Sequence, residues 1–189
     1  ADLASLNGLK TLEKVYADNT ILTKEKVTAF KDNRPDVIVV INSEELSAWW
    51  KGLAPNWKNA LRPFIANGQE QVPTKEQLAK LISIDSLNVA GNGLEDLVPL
   101  SKFLRLRYLN ISDNAIADFD ELHNLSGLVE LKASHTGFTA VKPILSLNKL
   151  QILNLADNQL EAENVLKLTK LKNLTLLNID NTGIGKKTV

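Results

Sequence analysis

The sequence contains no cysteine, so disulfides, thiol catalysis and thiolate metal sites are excluded. It also contains no methionine, even at position 1, which predicts a processed or excised segment of a longer protein. The 22 basic residues balance the 22 acidic residues, and this balance disfavours nucleic-acid binding, which draws on a basic excess. The longest apolar run, Val37 to Ile41, is too short to span a bilayer. We therefore expect neither a nucleic-acid partner nor insertion into a membrane.

One pattern, L-x-x-L-x-L-x-x-N-x-L, recurs five times in the second half of the chain. Four copies follow one another at a spacing of 22 residues, and the fifth follows after 24. The copies begin at Ile84, Leu106, Leu128, Leu150 and Leu174. Apolar residues at the fourth and sixth positions predict a short strand with one face turned inward. The ninth residue marks the turn that follows, where an asparagine can bond backbone groups of the turn and of the adjacent coil. One copy, here called a coil, cannot bury its apolar face alone, so the coils are expected to stack.

This pattern resembles that of the leucine-rich-repeat family, and its 22-residue period is similar to that of the internalins. The resemblance implies an α/β fold: a right-handed leucine-rich-repeat solenoid with parallel strands on a concave face and short helices or 3₁₀ turns on the convex face. It also implies a bacterial protein that is exported to the cell surface, the periplasm or the medium. On this basis residues 83–189 are predicted to form an array of five coils, truncated at its end.

The opening residues repeat the end of the chain at an offset of 162 residues. The segment from Leu9 to Leu12 aligns with Leu171 to Leu174, and Asp18-Asn19-Thr20 aligns with Asp180-Asn181-Thr182. Residues 1–41 are therefore predicted to be the C-terminal part of an upstream array, with a short helix capped by Thr23 and a closing strand within residues 37–41. The parent protein would then consist of tandem units.

Residues 42–82 interrupt the repeat and are predicted to form an all-helical insert or N-terminal cap. Signals for helix starts occur at Ser43, Pro55 and Thr74. Thr74 and Gln77 are expected to form a capping box, and Asn67 and Gly68 to stop the preceding helix. The segment also holds the three tryptophans, Trp49, Trp50 and Trp57. Their helical spacing favours core packing, and the alternative is an exposed aromatic platform for a glycan or a peptide.

No set of residues has the spacing of a catalytic or metal site. The two histidines, His123 and His135, have no cysteine to join them and belong to no H-E-x-x-H motif. We therefore expect no enzyme activity, no cofactor and no metal within this segment.

The outward-facing strand positions carry the candidate binding residues. Equivalent residues of adjacent coils should be neighbours, because parallel strands lie about 4.8 Å apart. The third position places large apolar groups on a face that should be exposed to solvent. The fifth position is mostly asparagine. At the eighth position two aspartates would flank a histidine and favour its charged form, which predicts pH-sensitive binding. The candidates are Tyr108, Asp113, Lys132, His135, Ile152, Asp157 and Leu176.

These features predict a non-catalytic protein-binding or scaffolding module of a larger repeat protein, acting through the concave face. Two alternatives stay open. The first is a structural spacer built of tandem units, which would carry the same small polar residues in every unit. The second is an accessory domain of an enzyme or electron-transfer protein whose chemistry lies outside this segment.

Overall fold

The computed structural model describes residues 3–65 and 72–185. The chain forms two compact units. The first, here called the amino-terminal unit, consists of Ala1–Ile84 with Lys102–Arg105, and the second, the array unit, consists of Asp85–Ser101 with Leu106–Val189. None of the helices in the described residues has the length and apolar character needed to cross a membrane.

The amino-terminal unit contains one coil closed by a second strand. Strand β1 (Lys14–Tyr16) pairs in parallel with β2 (Ile38–Val40), and helix α1 (Lys24–Asn33) connects them; a short 3₁₀ helix, Ala4–Gly8, precedes β1. Residue 14 pairs with residue 38, so the spacing of this pair is 24 residues. The closing strand predicted within residues 37–41 is confirmed.

Helix α1 begins and ends for local reasons. The Thr23 hydroxyl accepts from the Lys26 N–H at 3.5 Å, which satisfies one of the free donors of the first turn. Val27 and Phe30, one turn apart, are buried in the core of the unit. Just beyond the helix, Arg34 donates to the Leu9 and Leu12 carbonyls at 2.9 and 3.0 Å, so its guanidinium fastens the start of the coil.

Three further helices follow: α2 (Ser43–Gly52), α3 (Pro55–Leu61), extended by a 3₁₀ turn at Arg62–Phe64, and α4 (Lys75–Leu81). Pro55 is the first residue of α3, as predicted, because its fixed φ suits the first turn and its missing N–H is not needed there. The predicted capping box is also confirmed, since Thr74 and Gln77 exchange hydrogen bonds at the start of α4. Asn67 and Gly68, predicted to stop a helix, lie outside the described residues.

The expected cap of α2 by Ser43 is wrong. Ser43 is the first helical residue, and its N–H and hydroxyl both donate to the Asp18 carboxylate, at 2.8 and 2.7 Å. These hydrogen bonds lower the pKa of Asp18 below its usual value, and the bond from the Ser43 backbone N–H has the largest effect. The cap is therefore supplied by a residue 25 positions earlier in the chain.

The tryptophans are packing residues, and the exposed-platform interpretation is wrong. Trp50 is 1% exposed and Trp57 is fully buried. Trp49 is half-buried and packs edge-on against Trp50 and Phe103, with ring centroids 6.4 Å apart in both pairs. Such edge-to-face contacts add to the burial of apolar area.

The array unit contains five parallel strands in chain order. They are β3 (Ser86–Asn88), β4 (Tyr108–Asn110), β5 (Glu130–Lys132), β6 (Ile152–Asn154) and β7 (Leu176–Asn178). The returning segments contain 3₁₀ helices at Val98–Lys102, Asp120–Asn124, Lys142–Ile144 and Leu168–Lys170, and helix α5 at Ala162–Lys167. Paired residues are 22 apart for the first four strands and 24 apart for β6 and β7. The five strands and their register are as the repeat spacing predicts.

The ninth residue of a coil links that coil to the one before it. The Asn158 side-chain oxygen accepts from the Thr136 and Phe138 N–H groups, at 3.0 and 2.9 Å, and its amide nitrogen donates to the Ala133, Leu155 and Ala156 carbonyls. Asn114 makes the same set of bonds two coils earlier, with the first coil. Where the ninth residue is threonine, as at Thr136, the hydroxyl donates to the carbonyl three residues earlier and, at 3.4 Å, to the Asn158 side-chain oxygen of the following coil. This confirms the predicted role of asparagine in the turn and toward the adjacent coil.

Candidate partner-binding face

The third position of the repeat forms a row across the outward face of the array unit. The strand register makes neighbours of Ser86, Tyr108, Glu130, Ile152 and Leu176. Tyr108 is 40% exposed, Leu176 is 51% exposed, and Ile152 is half-buried. This row, called the third-position row below, therefore presents large apolar groups to solvent.

The centre of the row is occupied by a charged pair. Lys132 lies two residues after Glu130 on β5, and its Nζ is 2.8 Å from Glu130 Oε1. The lysine is about half exposed, and exposed pairs of this kind contribute about 0–1 kcal/mol to stability. The pair therefore adds little to the fold but places both charges between the apolar groups.

The fifth-position asparagines have a structural role that sequence reasoning missed. The side-chain oxygen of each accepts from the backbone N–H two residues later: Asn88 from Ala90, Asn110 from Ser112, Asn154 from Ala156 and Asn178 from Asp180, at 2.9–3.2 Å. This bond ends the strand and begins the turn, a task suited to the short side chain of asparagine. The recurrence of asparagine at one position was the available signal. Among the five fifth-position residues, only Lys132 is not an asparagine.

The residue types at the eighth position are limited by a positive backbone φ angle. Asp113, His135, Asp157 and Asn181 all have φ between 52° and 57°, and Gly91 has φ of 66°. Few residue types tolerate this left-handed region, and aspartate, asparagine and histidine are enriched in it. The N–H groups of residues 91, 113, 135 and 157 each donate to a carbonyl of the next coil, at 2.8–3.0 Å. Asp113, His135 and Asp157 are thus positioned by the turn.

The structure joins His135 to one of the two predicted carboxylates. His135 Nδ1 lies 3.2 Å from Asp113 Oδ1, and both side chains are largely exposed. The Asp157 carboxylate instead accepts from the Asn181 side-chain amide at 2.9 Å. His135 is therefore hydrogen-bonded to Asp113. Asp157 is bonded to Asn181 of the fifth coil.

A shallow depression opens beside His135. It is lined by Asn114, Ala115, Ile116, His135, Thr136 and Gly137. The Asn114 and Ile116 N–H groups have no acceptor among the described residues here, whereas the equivalent groups of the next coil donate to Asn158. The depression thus lies where threonine replaces the asparagine that links other coils.

Within residues 3–65 and 72–185, no three His, Cys, Asp or Glu side chains lie together as a metal site would require. The described side chains of this face include hydrogen-bonding, charged and apolar groups.

Comparison with known proteins gives neither a matching family model nor a matching curated protein. Among solved structures, the chain is similar to internalin C2 from Listeria monocytogenes, with 28% identity over 55% of this chain and 54% of that one and a TM-score of 0.45. It is also similar to the internalin inlF from the same organism, with 19% identity over 95% of this chain, 51% of that one and a TM-score of 0.50. The fold is that of a leucine-rich-repeat protein. The chain spans about half the length of either internalin, and at 19% identity the likeness concerns the fold alone.

Proposed function

We propose that this chain is a non-catalytic protein-binding module and that the third-position row of the array unit contacts the partner. The observation that supports the proposal is the exposure of Tyr108 and Leu176 on a face where the fold does not need large apolar groups. Tyrosine is enriched at binding hot spots, where a few anchoring side chains carry most of the affinity.

The dimensions of the row suit a protein segment. Tyr108 and Leu176 lie three strands apart, which is about 14 Å at the usual spacing of parallel strands. Ile152 lies between them, next to the Glu130–Lys132 pair. The row therefore offers apolar anchors at both ends and charged groups in the middle, an arrangement that an extended strand or a helix with matching side chains can cover.

The test is site-specific photocrosslinking of the full chain. A photoreactive phenylalanine analogue replaces Tyr108 in one variant and Val98, which is 61% exposed on a returning segment, in the control. Each variant is irradiated in a protein extract of the source organism, and the adducts are identified by mass spectrometry. We expect a protein adduct at position 108 that is absent at position 98.

The adduct must then depend on the row. The identified protein is purified and titrated against Tyr108→Ala, Leu176→Ala and the control Val98→Ala. Loss of a hot-spot contact weakens binding by about 2 kcal/mol or more, roughly thirtyfold in Kd. Equal affinity of the three variants for the partner would refute the proposal.

The spacer alternative is favoured by one specific observation. Four of the five fifth-position residues are asparagines whose side chains bond the backbone of their own turns. The fifth position therefore offers little that could distinguish one partner from another. A spacer predicts that no adduct forms at position 108 and that Lys132→Asn changes no binding property. The same photocrosslinking experiment therefore separates the two functions.

We also propose that the protein is bacterial and exported, in keeping with its internalin-like repeat. An antibody raised against the chain should label intact cells of the source organism, or detect the chain in the periplasm or the medium. Exclusive recovery with cytoplasmic markers would contradict this.

A further inference from the structure

Two buried backbone donors in the second coil of the array unit lack an acceptor. In the first and third coils, the N–H groups of the ninth and eleventh residues converge on a single oxygen, that of the asparagine side chain in the following coil, at 2.9–3.1 Å. The equivalent groups of the second coil are the N–H of Asn114 and of Ile116, and neither has an acceptor within residues 3–65 and 72–185. Both residues are buried. Because a buried donor without a partner is costly, this pair calls for an acceptor oxygen from water or from a ligand.

The two donors face a threonine instead of an asparagine. The Thr136 hydroxyl donates to the Ala133 carbonyl at 2.9 Å and to the Asn158 side-chain oxygen at 3.4 Å. Both partners belong to the third and fourth coils, and the hydroxyl accepts from neither donor of the second coil. The fourth coil also faces a threonine, Thr182, but there the Leu160 N–H donates to the Thr182 carbonyl at 3.2 Å. Of the array coils that are followed by another, only the second leaves both N–H groups unpaired in the described residues.

The residues of the two donors line the shallow depression beside His135. The other lining residues are Ala115, Thr136 and Gly137. Ala115 and Gly137 are exposed and have little or no side chain, whereas the fourth coil has Gln159 at the same repeat position. The depression is therefore open on the side of these small residues, and a small polar group can enter it.

The unmet need at this place is for acceptors. In the fourth coil, the amide nitrogen of Asn158 donates to three backbone carbonyls. The three equivalent carbonyls around Thr136 each have a donor already: Ile111 accepts from the Asn114 side chain, Ala133 from the Thr136 hydroxyl and Ser134 from the Asp113 N–H. An ionised carboxylate accepts hydrogen bonds and donates none, and its bonds to N–H groups are stronger than those of a neutral acceptor. It therefore suits two free donors better than a carboxamide, whose amide group would also need acceptors.

The charged groups at the depression are those of His135 and Asp113. His135 Nδ1 lies 3.2 Å from Asp113 Oδ1. An imidazole that is protonated at both nitrogens donates at both, so His135 can offer a further donor while Nδ1 is bonded to Asp113. Asp113 is the group that opposes a second carboxylate here, and the imidazolium offsets its charge.

We propose that this depression is a carboxylate-binding site. One carboxylate oxygen accepts from the Asn114 and Ile116 N–H groups, in the place that an asparagine oxygen takes beside the first and third coils. The carboxylate belongs to a small ion or to an acidic side chain on a partner segment. The site contains no residue of the third-position row, so it does not depend on that row binding a partner.

The test is a nuclear magnetic resonance titration of the full chain labelled with ¹⁵N. Sodium acetate is added at constant neutral pH, and sodium chloride is withdrawn to hold the ionic strength constant. The Asn114 and Ile116 amide signals should move together and saturate, with half-saturation in the millimolar range because an ion of so few atoms makes few contacts. The Phe138 amide, which already donates to Asn158, is the internal reference and should move far less. The neutral analogue acetamide should give no saturable shift at the same concentrations.

A variant that fills the site gives the second measurement. Thr136→Asn places an asparagine oxygen at the two donors, so it should abolish the saturable shift with acetate. Thr139→Asn makes the same exchange at an exposed residue of the same coil, and its half-saturation should equal that of the wild type. Circular dichroism verifies that each variant is folded. If Thr136→Asn does not fold, the comparison of acetate with acetamide on the wild-type chain decides by itself.

A further titration identifies the source of the carboxylate. The probe is a capped tripeptide with a central glutamate, and its glutamine counterpart is the control. Half-saturation at a lower concentration than acetate, lost with the glutamine peptide, assigns the site to an acidic side chain on a partner segment. Half-saturation at or above that of acetate assigns it to a small carboxylate ion.

Three results would overturn the proposal. They are the absence of a saturable shift of the Asn114 and Ile116 signals with acetate, equal shifts with acetamide, and undiminished acetate binding by folded Thr136→Asn. Every variant leaves the third-position row intact, so these outcomes are independent of the photocrosslinking at Tyr108.

Discussion

The link between coils can be tested at Asn158, whose side chain holds the third coil to the fourth. Its oxygen is the acceptor for the Thr136 and Phe138 N–H groups, and the residue is 2% exposed. In Asn158→Ala both N–H groups lose their acceptor and remain buried. Two of the three carbonyls bonded by the Asn158 amide keep a donor, because Ala133 accepts from the Thr136 hydroxyl and Ala156 from the His135 N–H.

The magnitude follows from the two orphaned donors. A buried donor left without a partner costs about 1–3 kcal/mol, so two of them should lower the free energy of unfolding by about 2–6 kcal/mol. Water entering the vacated space would move the result toward the lower end. The loss is a large share of the roughly 5–15 kcal/mol by which single domains are stable.

The matched control is Asn92→Ala, the same change at the same repeat position in the first coil. Asn92 is half-buried, and the hydrogen bond shown for its side chain is to the Ala90 carbonyl at 2.9 Å. Its removal should cost about 0.5–1.5 kcal/mol. Urea unfolding of both variants, followed by far-ultraviolet circular dichroism, measures the difference. Equal costs at the two positions would refute the account of the asparagine as a link between coils.

Three other substitutions have effects of predictable direction. Thr136→Asn should raise the free energy of unfolding by about 1–2 kcal/mol in the same assay, because the new side chain supplies an acceptor for the Asn114 and Ile116 N–H groups; no gain would contradict this. His135→Val should cost about 1–3 kcal/mol, because a β-branched residue is strained at the φ of 52° found there, whereas His135→Asn should be nearly neutral. The pKa of Asp18 is lowered in the folded state. Its contribution to the free energy of unfolding is therefore complete above the usual carboxyl pKa of about 4, and it is lost as the pH falls through the pKa of the folded state. The melting temperature of Asp18→Asn should accordingly be lower than that of the wild type at pH 7 and converge with it in acid, and parallel pH profiles would show that Asp18 is not the group responsible.

The fold follows from the sequence where local spacing decides it. A period of 22 residues with apolar fourth and sixth positions requires stacked strands, and the register between Leu109 and Leu131 is simply that period. Helix starts at Thr23, Pro55 and Thr74 are equally local, since a cap needs only neighbours within one turn.

The parts that sequence reasoning missed depend on long-range contact or on backbone angles. Asp18 caps α2 from 25 residues away, and no periodicity shows such a contact. The eighth position could have been interpreted correctly, because glycine, aspartate, histidine and asparagine share a tolerance for positive φ. Their charges suggested an electrostatic site around His135, and the backbone accounts for the same residue types.

These structural roles narrow the candidate site. The fourth and sixth positions are committed to the core, the ninth to the link between coils, the eighth to a left-handed turn and the fifth to the bond that ends each strand. The third position has none of these structural roles, and it carries five different residues in the five coils: serine, tyrosine, glutamate, isoleucine and leucine. Lys132 departs from the fifth-position asparagines beside the glutamate of that row. The fold does not require these side chains, and the proposed partner contact would account for the exposure of Tyr108 and Leu176. On that proposal, substitutions in the third-position row should change binding while leaving the free energy of unfolding nearly constant.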